Sequence, residues 1–108
     1  MLKYWVWLSE LKGLRNQTRL ALLRRFGDPE SIFYADADEL LLTDGVERSQ
    51  LKLLENHDLA PADRILADCQ RLDIRLLPLS DAAYPGRLKN IYDPPALLYC
   101  KGRLPLLD

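Results

Sequence analysis

Helix breakers punctuate the first two thirds of this chain at intervals too short for any long element. Gly13, Gly27-Asp28-Pro29, Asp44-Gly45 and Pro61 stand between apolar residues that recur at helical spacing. Tyr4, Trp7, Leu8 and Leu11 share one helix face, and Gly13 ends that helix. Asn16 is expected to cap the next, in which Leu20, Leu23 and Phe26 form the apolar stripe and Gly27 the stop. Asp28-Pro29-Glu30 restarts a helix, and Asp36 with Glu39 has the spacing of a capping box before Leu40 to Leu42. A helix with Leu51 and Leu54 follows, then one opened by Ala60-Pro61 with Ile65, Cys69 and Leu72 on its stripe. Helices this short do not persist alone, so they must pack on one another. A compact bundle of short helices over residues 1–72 is the expectation. Trp5 falls off the first stripe, and if exposed would mark a partner surface.

The pattern changes at Asp73. Ile74 to Leu79 reads as a strand, with Pro78 placing it at an edge or marking its end. A short helix can begin at Tyr84-Pro85 with Leu88 and Ile91 on one face. Asp93-Pro94-Pro95 cannot be helical, because each proline drives the preceding residue out of the α region. Ala96 to Cys100 is a second strand, closed by Lys101-Gly102. Two strands do not make an independent sheet. Residues 73–108 are therefore expected to begin a larger domain, and the fold class is mostly α: a helical domain, then an α/β segment with two short strands.

Composition narrows the function. The 108 residues are 48% hydrophobic and 29% charged, enough to bury a core. The formal net charge of -1 gives no global attraction for a phosphate backbone, so any nucleic-acid contact must come from a local patch. Arg19, Arg24 and Arg25, with Lys12 and Arg15, give the stretch before Gly27 a local positive excess, expected on a solvated face. Cys69 and Cys100 have no metal-ligand spacing and are expected as reduced thiols; His57 has no histidine partner. The start of the chain is too polar for a signal-peptide core and too short to span a bilayer, so a cytoplasmic protein is expected. No nucleophile-and-base pattern, Walker loop or HExxH is present. We expect no enzyme activity, cofactor, metal, membrane partner or small-molecule substrate.

Two segments resemble the halves of a helix-hairpin-helix pair: Leu11-Lys12-Gly13-Leu14-Arg15, and Leu42 to Arg48 through Asp44-Gly45-Val46-Glu47. In such hairpins a glycine lets the backbone approach a phosphate, whose oxygens meet N–H groups of the following helix. The candidate nucleic-acid residues are Lys12, Gly13, Arg15, Gly45 and Arg48. The first hairpin is the better candidate, since Asp44 and Glu47 in the second repel phosphate. Each offers one glycine where a DNA-binding version has a Gly-hydrophobic-Gly turn, and packing alone also accounts for both. A DNA-binding module of a repair protein and a pure protein-interaction or self-association domain are the alternative readings.

The most specific pattern lies downstream: Tyr84-Pro85, Leu88, Ile91, Asp93-Pro94-Pro95, Leu98-Tyr99 and Lys101-Gly102. This string resembles the lead-in to the central domain of the DNA-processing protein A (DprA/Smf) family. Leu22 to Gly27 and the Asp44-Gly45-Val46 turn are similar to the family's N-terminal sterile-alpha-motif-like or helix-hairpin-helix-like domain. The resemblance implies a helical domain followed by an extended Rossmann-like one, here only its beginning. It also implies a whole protein that binds single-stranded DNA, self-associates, and helps load the RecA recombinase in natural transformation or other DNA recombination. The family's glycine-rich DNA-binding turn would follow Gly102, and this sequence stops before it. The string residues are expected to be structural, shaping the approach to the central sheet.

Overall fold

The computed structural model describes residues 2–101. Six helices come first: α1 (Leu2–Glu10), α2 (Asn16–Phe26), α3 (Pro29–Tyr34), α4 (Ala37–Leu41), α5 (Arg48–Leu54) and α6 (Ala60–Arg71). Strand β1 (Ile74–Pro78), the single-turn helix α7 (Gly86–Lys89) and strand β2 (Leu97–Lys101) follow. The fold is thus mostly helical with a small α/β segment, as the pattern of breakers predicts.

Helix α1 is the hub. It packs against α3, α6 and both strands. Its five consecutive residues from Tyr4 to Leu8 are all buried, which a helix tolerates only when neighbours surround it. Trp5 is therefore a core residue, not an exposed one. The spacing rule finds one stripe of α1 and misses Trp5, which belongs to the same core cluster. Phe33 anchors an aromatic cluster against α1, with its ring 5.0 Å from that of Trp7 and 5.2 Å from that of Tyr4, both edge-on.

The caps show where local rules hold. Asp28 accepts a hydrogen bond from the Ser31 N–H at 2.8 Å, and Pro29 occupies the first turn of α3. At Asp36 the N-cap position is right, but its side chain makes no capping bond, so the expected box does not form. The N-cap of α2 is Arg15, not Asn16. Asn16 is instead the first helical residue, and its amide points away to the signature segment. Leu72 lies past the end of α6 and is 41% exposed, while Cys69 on the same helix is buried.

β1 and β2 pair antiparallel in the register Ile74 to Lys101 through Pro78 to Leu97. The Leu79 N–H extends the ladder by one bond to the Ala96 carbonyl, 2.9 Å. Pro78 ends β1, as its missing N–H requires. Leu77, Ala96 and Leu97 are buried, and β1 lies along α6 and α1. This is how two strands persist here: the helices supply the apolar face they lack. The parallel βαβ unit from which a Rossmann-like sheet is built is not among the described residues. Gly102 also lies outside them.

Candidate nucleic-acid interface and signature segment

The two hairpins, more than thirty positions apart in sequence, meet in space. Gly13 and Gly45 both have left-handed backbones, with φ of 87° and 86°. In each turn this conformation reverses the chain at little cost for glycine alone. At Gly45 space is also short: a Cβ there would stand 2.8 Å from Thr18 Oγ1. Thr18 donates to the Gly45 carbonyl at 3.3 Å, and Arg15 Nη2 donates to the same oxygen at 3.0 Å.

Gln50 completes the junction. Its Oε1 accepts the Arg15 N–H at 3.2 Å, and its Nε2 donates to the Gly13 carbonyl at 3.3 Å. One buried amide from α5 thus satisfies a donor and an acceptor of the first hairpin. The N–H of the N-cap residue Arg15 is thus bonded to Gln50, and its guanidinium is engaged with the second hairpin. Lys12 and Arg48 remain exposed at their turns. All five candidate nucleic-acid residues are thus exposed; the structure joins Gly13, Arg15 and Gly45 in one hydrogen-bond network through Gln50 and does not bring Lys12 and Arg48 into it.

Arg19 departs furthest from its expected solvated face. It is 9% exposed and caps α1 from α2. Nε donates to the Leu8 carbonyl at 2.8 Å, Nη2 to the Leu11 carbonyl at 3.1 Å, and Nη1 to Asn16 Oδ1 at 3.4 Å. Burial lowers its pKa, while the nearby charges of Glu10 and Asp93 act the other way. A cation at the negative end of α1 is favourable both as a donor to the carbonyls there and against the helix dipole. Arg24 is exposed, whereas Arg25 bonds the Glu39 carbonyl and Thr43 Oγ1.

The signature residues close on the helical part rather than on a cavity of their own. Tyr84 is buried and donates to the Pro95 carbonyl at 2.8 Å, which fixes the loop between α7 and β2. Asp93 Oδ1 accepts from Asn16 Nδ2 at 2.9 Å and from Gln17 Nε2 at 2.8 Å. The same two amides donate to the Pro94 carbonyl at 2.9 Å and the Tyr92 carbonyl at 3.1 Å. Tyr99, on β2, donates to Glu10 Oε2 at 3.2 Å. Burial pushes the Tyr84 and Tyr99 hydroxyls above the ordinary tyrosine range, and at Tyr99 the Glu10 carboxylate adds to the rise. Pro85 and Pro94 are buried, Leu98 is half-buried, and Pro95 and Lys101 are exposed. Leu88 and Ile91 are 37% and 48% exposed, because α7 ends at Lys89 before they can form one buried face.

The chain is 32% identical over 81 residues to DNA processing protein DprA of Bacillus subtilis, a match covering 75% of this chain and 27% of that protein. It is 29% identical over 100 residues to Protein Smf of Borreliella burgdorferi, covering 93% of this chain and 31% of that protein. These relatives support the DprA/Smf family. The chain spans less than a third of the length of either relative. No protein-family model matches the chain, and no solved structure matches it significantly. Among the described residues no helix is long and apolar enough to cross a membrane, and no group of three or more His, Cys, Asp or Glu could hold a metal ion.

Proposed function

We propose that this chain serves in DNA processing, as a non-catalytic module of a protein that binds single-stranded DNA and helps load RecA in recombination. The similarity to DprA supports the DNA-processing setting. The accessory role rests on one observation: the Arg15 N–H and guanidinium, at the N-cap of α2, both bond within the protein, to Gln50 and to the Gly45 carbonyl of the second hairpin. A hairpin used this way aligns helices instead of gripping a phosphate. The net charge of -1 agrees, since binding to a phosphate backbone is driven by cations.

Fluorescence anisotropy with a labelled single-stranded oligodeoxythymidine tests the reading. At about 150 mM salt this chain should leave the probe unbound at micromolar concentrations, while the whole protein binds it tightly. Sub-micromolar, salt-sensitive binding by this chain alone would overturn the accessory role. Failure of the whole protein to bind would overturn the single-stranded-DNA reading itself.

A further inference from the structure

A groove of about 410 Å³ runs between α2 and the segment that carries the signature string. Trp5 and Leu23 form part of its apolar lining. Arg24 enters from α2, and Lys89 from α7, so two cations from separate elements face one concavity. Ile91 and Tyr92 line it as well, the tyrosine 86% exposed. The ring of Tyr92 is thus presented to solvent, while its backbone is fixed by the bond from Gln17 Nε2 to its carbonyl.

Charge defines what fits. Among the described residues no carboxylate lines the groove. Three aspartates adjoin lining residues in sequence, and each is tied elsewhere. Asp28 accepts from the Ser31 N–H, Asp81 from the Ala83 N–H, and Asp93 from Asn16 and Gln17. The groove therefore joins an apolar floor, an exposed aromatic ring and two cations. Strand-tracking proteins combine these same parts: bases stack on the ring while the cations meet the phosphates.

We propose that this groove takes a short stretch of single-stranded DNA, with a base against Tyr92 and phosphates at Arg24 and Lys89. The choice of DNA over another anion rests on the function proposed above. Two cations give a weak contact that salt removes, which agrees with a chain that does not hold DNA by itself at physiological salt.

The test is an NMR titration of the isotopically labelled 108-residue chain with oligodeoxythymidine at about 20 mM salt, repeated at about 200 mM. Shifts should centre on Arg24, Lys89, Ile91 and Tyr92 and fade at the higher salt. Tyr92→Ala should weaken binding about tenfold, and Arg24→Ala or Lys89→Ala should flatten the salt dependence. Lys12→Ala and Arg48→Ala should leave it unchanged. All these side chains are exposed, so the variants keep the core. Shifts centred on the two hairpins would overturn the proposal, as would an unchanged affinity in Tyr92→Ala. Equal binding of polyglutamate, insensitive to Tyr92→Ala, would mark an acidic protein segment as the occupant and also overturn it. The two readings fail separately. If the whole protein binds DNA but the groove gives no response, only the groove proposal falls. If the groove responds and the whole protein does not bind at physiological salt, only the broader function falls.

Discussion

Arg19→Met should be among the most damaging single substitutions at any polar position of this chain. The side chain donates to the carbonyls of Leu8 and Leu11 at 2.8 and 3.1 Å, and it is 9% exposed. A hydrogen bond from a charged donor contributes about 1.5–3 kcal/mol, so the pair amounts to about 3–6 kcal/mol gross. Methionine returns part of this, because an apolar side chain replaces a guanidinium whose burial was itself costly. The Leu8 carbonyl then loses the Arg19 donor, and the Leu11 carbonyl keeps only the long bond from the Leu14 N–H, 3.4 Å. A net loss of about 2–4 kcal/mol follows, or a fall in Tm of about 8–16 °C at this chain length. Urea titration followed by tryptophan emission measures it, since Trp5 and Trp7 are both buried. The midpoint should fall with the slope unchanged. Arg24→Met, at an exposed site, should cost under about 0.5 kcal/mol. Arg19→Lys should recover only part of the loss, because one ammonium lacks the fork that reaches both carbonyls. A cost below about 1 kcal/mol for Arg19→Met, or parity with Arg24→Met, would refute the capping argument.

Two further outcomes follow from the turns and the tyrosines. Gly45→Ala should cost about 2–3 kcal/mol, combining left-handed strain with the clash at Thr18, whereas Gly27→Ala, also at positive φ but with nothing within 4 Å of its Cβ, should cost about 1 kcal/mol; denaturation in a Thr18→Ala background should erase the difference. The hydroxyls of Tyr4 and Tyr34 lie 3.1 Å apart, and that bond, then burial, pushes the Tyr4 pKa up to about 12. The folded state thus holds the Tyr4 proton more tightly than the unfolded chain, whose tyrosines titrate near about 10. The stabilisation is complete below that pH and is lost as pH rises through about 12. Denaturant midpoints measured from pH 9 to 12 should decline, and Tyr34→Phe should make the decline shallower; an unchanged slope would count against the pair.

The local grammar of the sequence reaches a long way here. Gly13, Gly27 and Pro61 each sit at or within one turn of a helix boundary, and Asp28 caps as its position demands. Ile74 to Pro78 and Leu97 to Lys101 are strands within a residue or so of their expected limits. Contacts between distant positions are what local patterns do not carry. Gln50 bonds residues 35 and 37 positions away, and nothing in its neighbourhood distinguishes it from a surface glutamine. Asn16 reads as a helix cap because asparagine favours that role, yet its amide is drawn to Asp93, 77 positions on. Arg19 reads as one of several surface cations, since only the path of α1 shows that the Leu8 and Leu11 carbonyls lie within its reach. The groove at Tyr92 escapes sequence reading for the same reason: Trp5, Arg24 and Lys89 share no motif.

The bond between Asp93 and the amides of Asn16 and Gln17 bears on how this chain can be divided. A cut after Leu72 would follow the change from helices to strands, and it would seem to yield an independent helical unit. It would also strip Asn16 and Gln17 of their acceptors, take Tyr99 from Glu10, and remove Leu79 and Pro94 from the groove that Trp5 lines. The helices and the signature string complete one another's surfaces. In a fragment library, a piece that separated the two would leave each with polar groups and apolar surface that the other now partners.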